Sequence, residues 1–225
     1  MPRAQRVCFP GALYHVHQRG NNKQDIFIDD IDRWHILKLF LESKKKFDYM
    51  LHCYALMKNH FHITIETLNT TPISKVMHYI DTGYATYFNA RHNKNGHLFQ
   101  GRFKAALVEK DYYLLELSRY IHLNPVKAGF VSLPEDYSWS SYGAYIGRRK
   151  DILVDIDTLL GYFDANNRVR AQQEYKKFVE SAISSVLVKK DWIAENLKRR
   201  RFIGSVDFVK NHLAEEVPGA CLKSA

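Results

Sequence analysis

From His60 to Ile65 the chain alternates polar and apolar residues, His-Phe-His-Ile-Thr-Ile, and a period of two is the mark of a half-buried β-strand. Phe61, Ile63 and Ile65 then fill a core while His60 and His62 project together from the other face. The two Cβ atoms lie roughly 7 Å apart, close enough for converging imidazoles to hold one divalent ion if a third ligand comes from elsewhere. Two satisfied histidines on an ordinary strand have the same pattern. Chemistry therefore depends on whether the rest of the chain brings a ligand, a nucleophile and a substrate to this face.

The flanking segments specify the kind of sheet. Residues 12–17 read as a first strand, closed by the turn Arg19-Gly20-Asn21-Asn22, whose Gly and Asn tolerate positive φ. This strand holds a second pair, His15 and His17, again on one face. Apolar residues at helical spacing over 31–41, with Asp29 or Asp30 as N-cap and Lys44, Lys45 and Lys46 at the dipole's negative end, predict a first helix. Residues 49–56 form a strand that pairs with the His60 strand through a short turn at 57–59. Thr71-Pro72 opens a second helix with a hydroxyl cap, and Val76, Ile80, Tyr84 and Phe88 carry its apolar face to about His92. Gly83 within it should weaken the helix locally by up to about 1 kcal/mol. Residues 102–108 are a further strand with Arg102 and Lys104 on one face, and Asp111 caps a third helix that Asn124-Pro125 ends. The order strand, helix, strand, strand, helix, strand predicts an α+β fold: a ferredoxin-like split βαβ antiparallel sheet with helices on one face, the third helix being an addition.

After Trp139-Ser140-Ser141-Tyr142 the pattern changes to helices separated by charged breaks, at about 156–163, 171–183, 191–200 and 205–214. This divides the chain into a domain at 1–147 and a helical extension at 148–225. Arg199, Arg200 and Arg201 sit in a basic turn between the last two helices, as a helix-turn-helix-like DNA contact or as part of a small helical appendage packed on the main domain.

Charge bounds the partners. The 33 Lys and Arg against 24 Asp and Glu give +9 and an isoelectric point near 9.3, so the summed field favours a polyanion such as nucleic acid. Cys8, Cys53 and Cys221 match no zinc spacing and read as thiols of a reducing compartment. No run of eighteen apolar residues occurs, which leads us to expect a cytoplasmic, nucleoid-associated protein.

The third helix carries Glu116, Arg119, Tyr120 and Asn124. Tyr120 and Asn124 lie one turn apart on one face, a phenol that can act as a covalent nucleophile beside an amide oxygen that can ligate a metal. Taken singly, Tyr120 is an ordinary core aromatic and Asn124 an ordinary helix stop. Together with His60-Phe61-His62 they make a specific pattern. Met57-Lys58-Asn59-His60-Phe61-His62 resembles the HUH motif (His, bulky apolar, His) of Y1 transposases, in the branch of the REP-associated tyrosine transposases. The likeness continues in Gly20-Asn21-Asn22, in the block from Gly96 to Lys104, in the block from Arg119 to Gly129, and in Trp139-Ser140-Ser141-Tyr142, spanning residues 8–146 in the family's order. Departures are Lys58 where many members have Pro, Phe99 where many have Trp, and Gly83 within the second helix.

The resemblance implies metal ligands at His60, His62 and Asn124 and a catalytic tyrosine at Tyr120, and it places no ligand at His15 or His17. It implies a Mg²⁺- or Mn²⁺-dependent endonuclease and strand transferase. Such an enzyme cuts single-stranded DNA at hairpin-forming palindromic repeats through a 5′-phosphotyrosine link and can rejoin the strands, as a monomer or homodimer. Glu116 is a candidate helper for the phenol's proton. Arg19, Lys23, Arg102, Lys104 and Arg119 are candidate backbone contacts, as are Arg199, Arg200 and Arg201. Other histidine phosphoesterases fit less well, because the place a third His or an Asp would take is Thr64. The alternative outside catalysis is a domesticated DNA- or RNA-binding regulator that kept the fold without cutting.

Overall fold

Backbone hydrogen bonding joins β1 (Leu13–Arg19), β2 (Tyr49–Met57), β3 (His60–Thr67), β4 (Lys104–Val108) and β5 (Phe202–Ile203) into one sheet in the order β2-β3-β1-β4-β5. The structure is a computed structural model and describes residues 7–184 and 202–214. The first four strands pair antiparallel, and β5 adds parallel to β4. With α1 (Asp30–Phe47) after β1 and α2 (Ile73–Arg91) after β3, this is the split βαβ arrangement that the strand and helix order predicts.

Alternation along β3 divides the molecule into two layers of core. Phe61, Ile63 and Ile65 pack with Val16 and Leu56 against Ile36 and Phe40 of α1 and Val76, Ile80, Tyr84 and Phe88 of α2. The opposite face is covered by the added helix α3 (Tyr112–Lys127), with α4 (Tyr142–Tyr145), α5 (Asp157–Gly161) and α6 (Arg168–Glu180) behind it. On that face β3 shows a polar row of His60, His62, Thr64 and Glu66. The lower part of the row is satisfied in place: Cys53 donates to Thr64 at 3.2 Å, and Glu66 takes His52 at 3.0 Å and Lys110 at 2.6 Å.

Two devices hold the first layer. Gly83 lies where α2 crosses α1, and a Cβ there would meet Leu39 at 3.2 Å, so the residue that lowers helix propensity lets the two helices approach. Asp32 of α1 is fully buried and receives Arg91 at 2.5 Å, His92 at 3.0 Å, Tyr87 at 3.2 Å and the Ile28 amide at 2.8 Å.

The edges of the sheet are closed. Residues 139–141 run along β2, with Leu56 N–H donating to Trp139 O and Ser141 N–H to Tyr54 O, while β5 covers β4. Several local expectations change. The Thr71 hydroxyl does not cap α2, which begins after Pro72 with no side-chain cap. Asp111 occupies the N-cap of α3 but turns its carboxylate to Tyr162 OH, 2.7 Å away. Helix α3 also runs past Asn124-Pro125 to Lys127. One missing amide in a last turn is tolerable, and Gly129 at φ +72° supplies the actual stop. Phe202 and Ile203, expected in a turn, form β5 followed by α7 (Val206–Ala214). The expected helix at 191–200 and the basic residues Arg199, Arg200 and Arg201 lie outside the described residues.

Candidate active site

Antiparallel pairing of β1 with β3 sets His17 opposite His62, Arg19 opposite His60 and His15 opposite Thr64. Residues directly opposite share a face, so the two His-x-His pairs form one array of four imidazoles. The ring centres of His17 and His62 are 4.7 Å apart, those of His60 and His62 5.1 Å, and those of His17 and His60 5.3 Å. Ligand nitrogens of His17, His60 and His62 all lie within 4.8 Å of one another. His17, to which the sequence pattern gives no ligand role, is therefore part of the cluster.

The fourth ring works from behind. His15 Nε2 is 2.9 Å from His62 Nδ1, the rings stacked at 19°, which commits His62 Nδ1 and leaves its Nε2 as the ligating atom. His60 Nδ1 is bound to Asn59 Oδ1 at 2.6 Å. An amide oxygen only accepts, so His60 carries its proton on Nδ1 and keeps a bare Nε2. Asn59 also ties the first turn to this strand: its carbonyl accepts Gly20 N–H at 2.9 Å and its Nδ2 donates to Lys23 O at 3.2 Å. Gly20 is required by space, since a Cβ there would stand 2.2 Å from Gln24 O.

Burial keeps these rings neutral. It lowers His15 to about 3 and His60 to about 4, the latter helped by the Arg19 charge, and it pushes His62 well below the ordinary imidazole range. His17 falls to about 2, from burial first and then from His60, His15, Arg19 and Lys104. Neutral imidazole is the form that ligates a metal.

Helix α3 packs over β2 and β3 and brings Tyr120 to this array. Its ring centre lies 5.7 Å from His62 and 6.3 Å from His15, edge-on to both. Glu116, one turn earlier, is buried and ion-paired with Arg119, whose guanidinium lies 4.4 Å over the Phe178 ring. Both residues thus engage neighbours within the fold. Asn124 Nδ2 donates to Tyr120 O at 2.8 Å within the helix.

The family model described as "Transposase IS200 like" matches residues 8–124, more than half of the chain. The chain belongs to the IS200-like transposase family. Its fold is similar to that of a REP-associated tyrosine transposase solved bound to a REP hairpin, with a TM-score of 0.55 and 16% identity over 70% of this chain and 96% of that one. A transposase candidate from Deinococcus radiodurans R1 is also similar, with a TM-score of 0.39 and 11% identity over 54% of this chain and 95% of that one. No curated protein matches. Among the described residues no helix is long and apolar enough to cross a membrane.

In this family member the histidine cluster fits a divalent ion. Two nitrogens bound to one ion at about 2.1 Å are at most about 4.2 Å apart, so small ring rotations close the set. The cations expected at the DNA divide into three groups. Lys23, Arg102 and Lys104 are exposed, Lys104 close enough to depress His17. Arg119 is engaged as above. Arg19 stands beside His60, His62 and His17, and its buried Nε makes no hydrogen bond. Of the first helix's lysines, Lys44 binds Asp155 at 2.5 Å and Leu153 O at 3.0 Å.

Proposed function

We propose that the protein is a metal-dependent single-tyrosine endonuclease and strand transferase acting on single-stranded DNA at hairpin repeats, with Tyr120 as nucleophile. The observation that carries this reading is the Tyr120 ring set edge-on to His62 and His15, at the border of the His17, His60 and His62 cluster. A regulator that only binds DNA has no need of a phenol at that place.

Tyr120 Oη would attack the phosphorus, forming the Oη–P bond as the P–O3′ bond breaks. The product is a 5′-phosphotyrosine and a free 3′-OH, the phenolic proton leaving to solvent or a base while the departing O3′ takes up one in its place. The diester's energy stays in the covalent link, so reversal by another 3′-OH joins strands without ATP. A free phenol has a pKa near 10, so its proton must be drawn off at neutral pH. His60, His62 and His17 would hold the ion, with Asn124 Oδ1 as the oxygen donor that the resemblance implies. When bound, a divalent ion supplies Lewis-acid charge that offsets the negative charge growing on the phosphate and on the phenol oxygen. Arg19 supports a phosphate at the same place, because its buried Nε is a donor awaiting an acceptor. Glu116 meets Arg119 through Oε2, so a role as base would fall to its other oxygen. Three imidazoles favour Mn²⁺ over Mg²⁺, whose preference is for oxygen and water.

Labelled hairpin DNA incubated with the protein and Mn²⁺ tests the proposal. A covalent protein–DNA adduct that disappears in Tyr120→Phe is expected. Tight binding with no adduct would favour the regulator, and an adduct that survives in Tyr120→Phe would remove Tyr120 from the mechanism.

A further inference from the structure

The back of the Tyr120 helix is held by a chain of buried hydrogen bonds that ends in the C-terminal extension. Tyr175 of α6 lies against α3, its hydroxyl 2.9 Å from Ser118 Oγ and 2.8 Å from His122 Nδ1. Where Ser118 donates to Leu115 O at 2.7 Å, its oxygen accepts the Tyr175 proton. Tyr175 then accepts from His122 Nδ1–H. That leaves His122 Nε2 as an acceptor for Ser141 Oγ–H at 2.8 Å, and Ser141 Oγ in turn accepts the Tyr54 amide of β2 at 2.9 Å. Ser118, His122, Ser141 and Tyr175 are all fully buried. Passing the protons the other way, with Ser141 donating to Tyr54 O at 3.3 Å, keeps the same four groups paired, so the chain is complete in either sense.

We infer that α6 is the positioning element of the proposed nucleophile and Tyr175 its positioning residue, locking α3 to the sheet so that Tyr120 acts in cis from a fixed helix. Residues 118 and 122 are one turn apart on one face, and Tyr120 lies roughly 200° away around the axis. The chain therefore grips the back of the helix while its front meets the histidines. A second hold flanks the first: Phe178, three residues after Tyr175 on the same face of α6, lies under the Arg119 guanidinium at 4.4 Å. Apolar packing alone would glue α3 to its neighbours and tolerate small rotations. A directional chain in a dry interior does not, because any rotation orphans several buried groups together. The IS200-like family model ends at residue 124, so the grip comes from a segment beyond it.

The functional part of this inference rests on Tyr120 being the nucleophile, whereas the anchoring does not, and two readouts separate them. Tyr175→Phe keeps the ring and removes one hydroxyl. Hydrogen exchange of the amides at 115–124 should quicken about tenfold or more, with β1 to β3 unchanged. In the full-length protein with hairpin DNA and Mn²⁺, the rate of adduct formation should fall about tenfold or more while DNA and Mn²⁺ affinities hold. Phe178→Leu, the second variant, should move both readouts the same way by less. Unchanged exchange in α3, or an adduct rate within about twofold of the wild type, would overturn the inference. If the wild type forms no adduct, the nuclease reading falls, and exchange in α3 then decides the anchoring by itself.

Discussion

At the scale of single residues, what separates a ligand from a support in the histidine array is which ring nitrogen is already used. His62 gives Nδ1 to His15 and His60 gives Nδ1 to Asn59, so each has one nitrogen left. Removing the Asn59 amide frees the His60 ring to turn and to change tautomer, and Asn59→Ala should weaken Mn²⁺ binding about 10- to 100-fold by calorimetric titration. His17→Ala removes one of the three imidazoles proposed to hold the ion and should cost at least as much, whereas an unchanged affinity would take His17 out of the site. Sequence alone did not select between the two His-x-His pairs, because each has the same alternation. The clue was present in the fold expectation: a split βαβ sheet makes its first and third strands neighbours, so same-face residues on them must meet. The resemblance, which has no ligand on the first strand, led away from it.

Among the elements, α1 and α2 are joined by charge as well as by apolar packing. Asp32 has no exposed surface and gathers Tyr87 and Arg91 from α2 and His92 from its C-cap. Asp32→Ala would remove that acceptor while Arg91 keeps its bonds to Asp29 at 2.7 and 2.6 Å, and we expect about 1–3 kcal/mol lost in urea unfolding with the slope unchanged. The periodicity that outlined these helices says nothing of this latch, since the sequence marks Asp32 only as one more acidic residue in a first turn. Boundaries were the least legible feature for a similar reason. Proline at 125 reads as a stop, yet the helix continues to Lys127 because packing of its apolar face outweighs one absent hydrogen bond. Gly83 reads as a defect and proves to be the contact point of two helices.

For the whole molecule the buried histidines predict how stability follows pH. Burial lowers His15 and His122 to about 3 and His60 to about 4, while in the unfolded chain each titrates near 6.5. The unfolded state therefore takes up protons below about pH 6.5 that the folded state refuses. The stability from keeping these rings neutral is fully present above that pH and drains away as pH falls toward 4, by up to about 1.4 kcal/mol per pH unit for each ring. Urea midpoints measured without added metal at pH 7.5, 6 and 5 should fall in that order. A flat profile would mean that these rings are hydrated in solution. The same burial that makes the rings acid-sensitive keeps them ready to bind a metal at neutral pH.

By itself the sequence determined the strand and helix order, the sheet face that carries His60 and His62, the basic charge and the tyrosine with its motif blocks. Each of these is local, written in periods of two and 3.6 residues and in short contiguous patterns. The tertiary structure alone decided that His17 joins the cluster, that His15 braces it and that Tyr175 grips the helix of Tyr120. Those are pairings between residues distant along the chain, 47 positions in the case of His15 with His62 and 57 for Tyr175 with Ser118. They exist only once strand register and helix rotation are fixed by packing, and no local pattern encodes either.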